Sequence, residues 1–315
     1  MSTPALKGPA WVTVRQYRRT LWLALAVVVL AFAVIGGLRI WDAQYPDVRT
    51  EDGFWQLDPY NSGHHWLEGA MHSFSDCALA IPFAAALFVA GPMVAREFES
   101  GTYQLSFTQS VSPTTWLRTK LAVATATALG AVLLLSGAYA LGWVRVRDSY
   151  SLLRDDVGPY LVLGTVLAAY TLLAVAVGAL AGLLIRRTLV AMAATGLFTG
   201  VALVVMDAFR WDFLAPVTIT GKAVEGASTL MVPEDGRMVD QGLIMADGRR
   251  EPGWFCYDEG ASGACRPEEP VAAQYLDYHP ASHILPTQLI ETGILLALAA
   301  LAAFAAFRVL RARHP

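Results

Sequence analysis

Six long stretches of this chain carry almost no charge, and any fold must accommodate them. Residues 21–38 run for 18 positions without a charged side chain, 77–95 for 19, 121–144 for 24, 161–185 for 25 and 189–206 for 18. Residues 284–307 add 24 positions with Glu291 as their single charge. A helix rises ~1.5 Å per residue, so about 20 residues cross the ~30 Å of bilayer hydrocarbon. In lipid each backbone N–H and C=O must find its partner within its own segment, so stretches of this length are helices. Buried helices of a water-soluble core are rarely so long and so free of charge. The chain is 16% charged, against roughly 25% in an average soluble domain. The sequence therefore predicts an all-α polytopic membrane protein with six transmembrane helices. The first stretch exceeds the ~7–15-residue apolar core of a signal peptide, and no small-x-small cleavage site precedes Trp41 and Asp42, so it reads as a retained anchor.

The basic residues set an orientation. Lys7, Arg15, Arg18 and Arg19 precede span one; Arg96, Arg118 and Lys120 lie between spans two and three; Arg186 and Arg187 join spans four and five; Arg308, Arg311 and Arg313 follow span six. These boundaries hold twelve basic residues against two acids, Glu97 and Glu99. On the other side Asp42, Asp47, Glu51, Asp52, Asp58 and Glu68 surround a lone Arg49. The positive-inside rule then places both termini in the cytoplasm. The loop after span three opposes this rule locally, because Arg145, Arg147 and Arg154 accompany Asp148, Asp155 and Asp156. The predominance of arginine over lysine (Lys7, Lys120 and Lys222 are the only lysines) fits a GC-rich bacterial genome.

Four parts follow along the chain. Residues 1–20 form a cytoplasmic lead, in which alternating apolar and arginine positions suit a surface-lying amphipathic helix or an ordinary basic flank. Residues 21–206 hold spans one to five, with an outer loop at 42–75, an inner loop at 96–120, and Pro82 and Pro92 placed to kink span two. Residues 207–283 break the pattern: the pieces 217–220, 228–232, 237–240 and 254–257 are β-prone, and 233–236 and 246–248 are turn signals. They read as a β-rich extracytoplasmic cap between spans five and six. Residues 284–315 hold span six and a cytoplasmic tail. Cys256 and Cys265 fall in the cap, where an oxidising exterior favours a disulfide; two cysteines without a nearby histidine pair do not complete a zinc site. Cys77 at the membrane edge reads as packing.

No phosphate-binding G-x-x-x-x-G-K-[ST], no H-E-x-x-H and no G-x-S-x-G occurs, so the catalytic set is empty. His64, His65, His72, His279 and His283 share the outer side and read either as a metal or proton site or, more simply, as solvated interfacial residues. His279 and His283 are four apart, but Pro280 argues against a helix between them. The inner loop is the most informative stretch. Arg96, Glu97 and Glu99 form a charged exit from span two, Gly101 permits a sharp bend, Thr102 can cap a short helix over 102–110 that includes Gln109, and Ser112-Pro113 reads as an N-cap followed by a first-turn proline. Such a helix, lying along the membrane, suits a groove on a soluble partner, although an ordinary re-entry loop has the same elements. Glu291 is open to three readings: a structural partner for Arg210 or Arg39, an interfacial carboxylate, or a substrate contact.

The run A-R-E-F-E-x-G-T-Y at 95–103, T-Q-S-V-S-P-T-x-W-L at 108–117 and K-L at 120–121 resembles the inner loop of ABC-2-type, type V exporter-like permease subunits of ABC transporters, closest to the actinobacterial branch. P-A-S-H-I-L-P-T-Q-L-I-E at 280–291 resembles that branch too. The likeness covers about residues 10–146 and 280–310, and leaves the cap uncovered. It implies a half-transporter that pairs with itself or a homologous permease and seats its inner helix on separate ATPase subunits, which bind ATP and Mg; no cofactor and no nucleic acid belong to this chain. By the resemblance, Arg96, Glu97, Glu99, Gly101, Thr102 and Gln109 couple to the ATPase. The apolar spans with Phe83, Phe88, Phe198, Thr199 and Glu291 imply an amphipathic or apolar cargo, exported across a bacterial plasma membrane. A membrane-bound lipid- or glycan-modifying enzyme using the outer His, Asp and Glu residues, or a ligand sensor, are the competing classes; activity of this chain alone would distinguish the enzyme. The charge asymmetry generates a direct test of topology: a cysteine placed at Thr188 or Ser110 should resist membrane-impermeant thiol reagents in intact cells while one at Ser228 is labelled, and the opposite pattern would invert the arrangement.

Overall fold

The computed structural model describes residues 14–15, 17–49, 55–58, 60–104, 112–147, 152–222, 230–233, 236–252 and 271–313. It divides into two compact units, residues 209–287 and the remainder. The larger unit carries the spans. Six helices are long and apolar enough to cross a membrane: Arg18–Asp42, Ala80–Ser100, Pro113–Val146, Val166–Ile185, Thr188–Asp212 and Ala281–Arg313. Span four is the central one, with 61% of its apolar window buried, and span one is peripheral at 11%.

Three departures from the sequence reading have identifiable causes. The outer loop at 42–75 contains a 17-residue helix, Ser62–Ala78, that leads into span two. Its polar composition hid it, yet Asn61 caps it by accepting the His64 N–H at 2.9 Å, and Leu67, Met71, Ser75 and Ala78 recur on one buried face. Span two is widened, not simply kinked: residues Ala85–Ala90 form a π-helix, and the Gly91 N–H reaches back five residues to the Ala86 carbonyl. Pro92 explains this, since it has no N–H to donate four residues back and its ring crowds that carbonyl. Span four begins late: a short helix, Val157–Val162, precedes it, and the chain breaks at 163–165 before Val166–Ile185.

Other readings hold. Ser112 accepts the Thr115 N–H at 3.2 Å with Pro113 in the first turn. Spans four and five meet in a tight turn in which Arg186 takes a left-handed conformation at φ 57°. Close backbone approach locks span two to span four: a Cβ at Gly178 would lie 2.7 Å from the Ala90 carbonyl carbon, and one at Gly182 would lie 2.8 Å from the Ala95 nitrogen. The spacing of Gly178 and Gly182 is the small-xxx-small pattern by which membrane helices approach without side chains intervening. Around this contact Met93, Val94, Phe98, Trp116, Leu117, Val175, Ala179, Leu183 and Leu310 form one core; Ile35, Leu67, Met71, Tyr139, Val162 and Leu167 form a second.

The smaller unit is a four-stranded antiparallel sheet in which Val217–Gly221, Val271–His279, Arg237–Met245 and Arg250–Pro252 follow one another across the sheet. Its strands are β3 Val217–Gly221, β4 Arg237–Met245, β5 Arg250–Pro252 and β6 Val271–His279; β1 Val48–Arg49 and β2 Trp55–Gln56 form a separate ladder. The turn read at 246–248 is present, closed by Gly248 N–H donating to Met245 O at 2.9 Å. Strand β6, at the sheet's centre, was not foreseen, and Leu230–Val232 are not strand. The residues 228–229, 254–257, Cys256 and Cys265 lie outside the described residues.

The Gly182 contact yields a prediction with an internal control. Gly182→Val should cost about 1–3 kcal/mol through overpacking, read as a lowered unfolding temperature in detergent. Gly130→Val, where nothing lies within 4 Å of the new Cβ, should leave that temperature nearly unchanged.

Candidate functional site

Two polar centres stand out in the larger unit, and the denser one surrounds the end of span two. Span two leaves its core with Arg96, Glu97, Phe98 and Glu99, four consecutive residues that point in different directions because successive helical positions are ~100° apart. Glu97 turns inward and is buried. Its carboxylate accepts from Lys120 Nζ at 2.6 Å and from Trp116 Nε1 at 3.0 Å, both on the first turns of span three. Glu97 pairs with neither Arg96 nor Arg118. A lysine and a glutamate this deep persist because each neutralises the other and the indole supplies a further donor. Lys120 also lies 5.3 Å over the Trp116 ring and 5.8 Å over that of Tyr17. Tyr17 donates its hydroxyl to the Met93 carbonyl at 3.1 Å. Burial, reinforced by the nearby Glu97, raises the Tyr17 pKa, so this hydroxyl keeps its proton.

Phe98 and Glu99 reach the junction of spans four and five, Phe98 while also touching span three. The Phe98 ring stacks on Tyr103 at 4.5 Å and meets Trp116 edge-on at 6.0 Å, while the Arg186 guanidinium lies 5.3 Å over it. Glu99 accepts the Thr188 backbone N–H at 2.9 Å. That N–H is one of the unpaired donors at the start of span five, where the helix dipole favours an anion. Immediately after, Gly101 adopts φ 74°, the left-handed geometry that glycine takes at no steric cost, and turns the chain sharply. Thr102 is exposed, with its hydroxyl 2.9 Å from that of Ser100. Arg96 is exposed. Arg313, at the end of span six, donates to the Leu183 carbonyl at 2.7 Å. One short segment, Arg96–Gly101, is thus bonded to span three, to the turn between spans four and five, and to the first residues of the loop that follows. Gln109 lies outside the described residues.

The second centre brackets the break in span four. Glu291 is completely buried; it accepts from Tyr160 OH at 3.0 Å and Tyr170 OH at 2.8 Å, one tyrosine on each side of the break. Gln288 donates to the Tyr160 carbonyl at 2.7 Å, and the Thr165 and Thr292 hydroxyls lie 2.7 Å apart. Gln288, Glu291 and Thr292 on one face of span six thus hold both sides of the break, Gln288 through a backbone carbonyl and the other two through side-chain hydroxyls. Glu291 is therefore engaged by two tyrosines inside the chain.

The other sequence candidates are dispersed. Phe83 lines an apolar groove with Gly196, Leu197, Gly200, Val201, Val204 and Val205. Phe88 and Phe198 are exposed on the spans, and Thr199 is buried with its hydroxyl donating to the Thr195 carbonyl at 2.8 Å. The histidines part company: His64 is buried with Nδ1 3.4 Å from Asp42, whereas His279 and His283 bring their Nδ1 atoms to 3.1 Å. Burial, with His283 and Arg237 adding to it, lowers the His279 pKa and keeps that ring neutral. Among the described residues no three His, Cys, Asp or Glu side chains converge as metal ligands.

Sequence reasoning missed the partners more than the residues. Lys120 enters the sequence reading only as one of the basic residues at an inner boundary, and Phe98, Trp116, Tyr160 and Tyr170 are not singled out there. The signal for Lys120 was present: a lysine two turns into an apolar helix needs a counter-charge, and only Glu97 and Glu99 lie on that side. A family model described as ABC-2 membrane transporter related matches residues 23–210. No curated protein and no solved structure matches the chain.

The buried pair predicts non-additive energetics. Glu97→Leu or Lys120→Met alone should destabilise by about 3–5 kcal/mol, because each leaves a buried charge unpaired, while the double variant Glu97→Leu with Lys120→Met should recover most of that loss. Thermal unfolding of the four proteins in detergent measures it, and additive losses would count against the pair.

Proposed function

The chain belongs to the ABC-2 membrane transporter related family, and from that premise we propose that it is the membrane-spanning subunit of an ATP-driven exporter. It is a multi-pass membrane permease, and hydrolysis of ATP falls to separate partner subunits that hold ATP and Mg. It works beside a second copy or a homologous permease in a bacterial plasma membrane, with both termini and the Arg96–Gly101 segment in the cytoplasm. The cargo is amphipathic or apolar, in keeping with the apolar groove beside Phe83.

The observation that carries this reading is the bonding of the segment that ends span two. A partner that pushes on the loop after Gly101 moves a rigid piece, not a slack one. Glu97 hands that motion to span three through Lys120 and Trp116, and Glu99 hands it to span five through the Thr188 N–H. Span four follows through the close contacts of Gly178 and Gly182. A loop with no such attachments could bind an ATPase without transmitting anything.

Gly101→Val combined with Glu99→Ala tests the transmission. Valine at φ 74° is strained, and alanine removes the cap on span five, yet neither touches the buried core. The double variant should insert and purify normally, bind the ATPase, and hydrolyse ATP without exporting cargo when reconstituted in proteoliposomes. Export and ATPase rates equal to those of the parent would remove the loop from the mechanism.

A further inference from the structure

His279 and His283 have no part in the export reading, and they meet by a route that helical spacing does not provide. His279 is the last residue of strand β6, paired across the sheet with Arg237 of β4. Pro280 continues the chain extended, at φ −67° and ψ 157°, and a 3-10 turn over Ala281–His283 follows. The His283 N–H closes it by donating to the Pro280 carbonyl at 2.8 Å. The turn folds His283 back on His279, so the two Nδ1 atoms stand 3.1 Å apart, with ring centroids 5.4 Å apart and ring planes at 56°. His279 is buried and His283 half-buried, so the pair has one anchored member and one that solvent reaches. The Trp211 ring packs on His279 with centroids 5.4 Å apart, and the His279 imidazole is also hydrogen-bonded to the Trp211 backbone.

We propose that His279 and His283 form a two-imidazole site for a late first-row divalent ion, of the class of Ni²⁺, Cu²⁺ and Zn²⁺, bound through both Nδ1 atoms and completed by water. Two ligand atoms held ~2.0–2.1 Å from one ion lie about 2.9 Å apart at a right angle and about 3.4 Å apart at a tetrahedral angle. The observed 3.1 Å falls between these, so both rings reach one ion with little movement. The spacing H-x-x-x-H is also one that zinc sites use. Each neutral ring carries one proton, and ligation by both Nδ1 atoms puts both protons on Nε2 with no net release. A bond from that outer nitrogen to the backbone is how proteins fix a ligating imidazole, and the bond from His279 to the Trp211 backbone is of this kind. The charges that bear on His279 are of both signs: Arg237, 5.0 Å over the Trp211 ring, and Asp212, exposed on the 3-10 turn Arg210–Asp212. Binding therefore rests on imidazole donation more than on charge, which discriminates against the hard ions Ca²⁺ and Mg²⁺. The competing account of the contact is a plain N–H···N hydrogen bond. The site lies wholly within the smaller unit and is independent of the exporter reading.

The test uses the full chain, purified in detergent without a histidine tag and titrated with Zn²⁺ and, separately, Cu²⁺. The parent should bind one equivalent of Zn²⁺ that a large excess of Mg²⁺ or Ca²⁺ does not displace. His279→Gln and His283→Gln should each weaken that site about tenfold or more, while His65→Gln, on the Ser62–Ala78 helix, should not. With one equivalent of Cu²⁺, electron paramagnetic resonance should show coupling to two imidazole nitrogens in the parent and to one in either variant. A merely structural role for the pair would not produce that change. Unfolding temperatures without metal report whether each variant is folded; should the buried His279→Gln fail to fold, His283→Gln at the surface carries the test. A parent that binds no Zn²⁺ overturns the site and leaves the pair as a hydrogen bond. Equal binding by the parent and His283→Gln also overturns it, by assigning the ion to other ligands. Neither failure touches the exporter reading, which stands or falls on the ATPase experiment above.

Discussion

Hydrocarbon offers no partner to a peptide group or a charge, and most of this structure is an answer to that deficit. Where the chain stays helical the backbone satisfies itself. Where it departs from the α-helix, something identifiable takes over. In span two the missing N–H of Pro92 is accommodated by a π-turn that carries the Gly91 N–H to Ala86. In span four the chain on either side of the break at 163–165 is tied to span six, by Gln288 at the Tyr160 carbonyl, by Glu291 at the Tyr160 and Tyr170 hydroxyls and by Thr292 at the Thr165 hydroxyl. Charges follow the same rule: Lys120 and Glu97 are tolerated below the surface because they are each other's counter-ion.

The same economy makes the end of span two stiff. Glycines at 178 and 182 bring two backbones together without side chains between them, and such contacts have little room to slide. The ion pair at Glu97 and the cap at Glu99 then extend that stiffness to spans three and five. Because packed interfaces respond to force by shifting as units, a displacement at Gly101 is shared by four spans. On the exporter reading proposed above, the segment would couple through these bonds within the chain more than through any surface it offers.

How much of this was legible depended on the range of the forces involved. The spans were legible because length and absence of charge are local properties. The Ser112 cap and the Gly101 bend were legible because each is set by one or two residues. The helix Ser62–Ala78 was not, since its histidines and acids resemble a loop until Asn61 is seen to cap it and its buried face is seen to pack. Strand β6 escaped because its neighbours in the sheet, β3 and β4, lie far off in sequence. At the site, the residue types of the exit were readable but the direction in which Glu97 points was not; that is decided by span three, 23 residues away at Lys120. Glu291 likewise became interpretable only once Tyr160 and Tyr170 were placed beside it.

Arg145, in the loop that opposes the charge asymmetry of the sequence, follows the same logic of paired charges. Arg145 follows span three on the side that otherwise favours acids. Its Nε donates to Asp42 at 3.0 Å and its Nη1 to Asp47 at 2.8 Å, so two carboxylates near the end of span one hold it. Arg145 in turn holds the Asp47 carboxyl below its usual range. Asn61 joins Asp42 at 3.0 Å, so the clasp also fixes the start of the Ser62–Ala78 helix. A guanidinium so occupied is a fastener between spans one and three. The two ends of the bundle then differ in kind: at one an arginine is held by acids, and at the other acids are held inside and arginines are left to face outward.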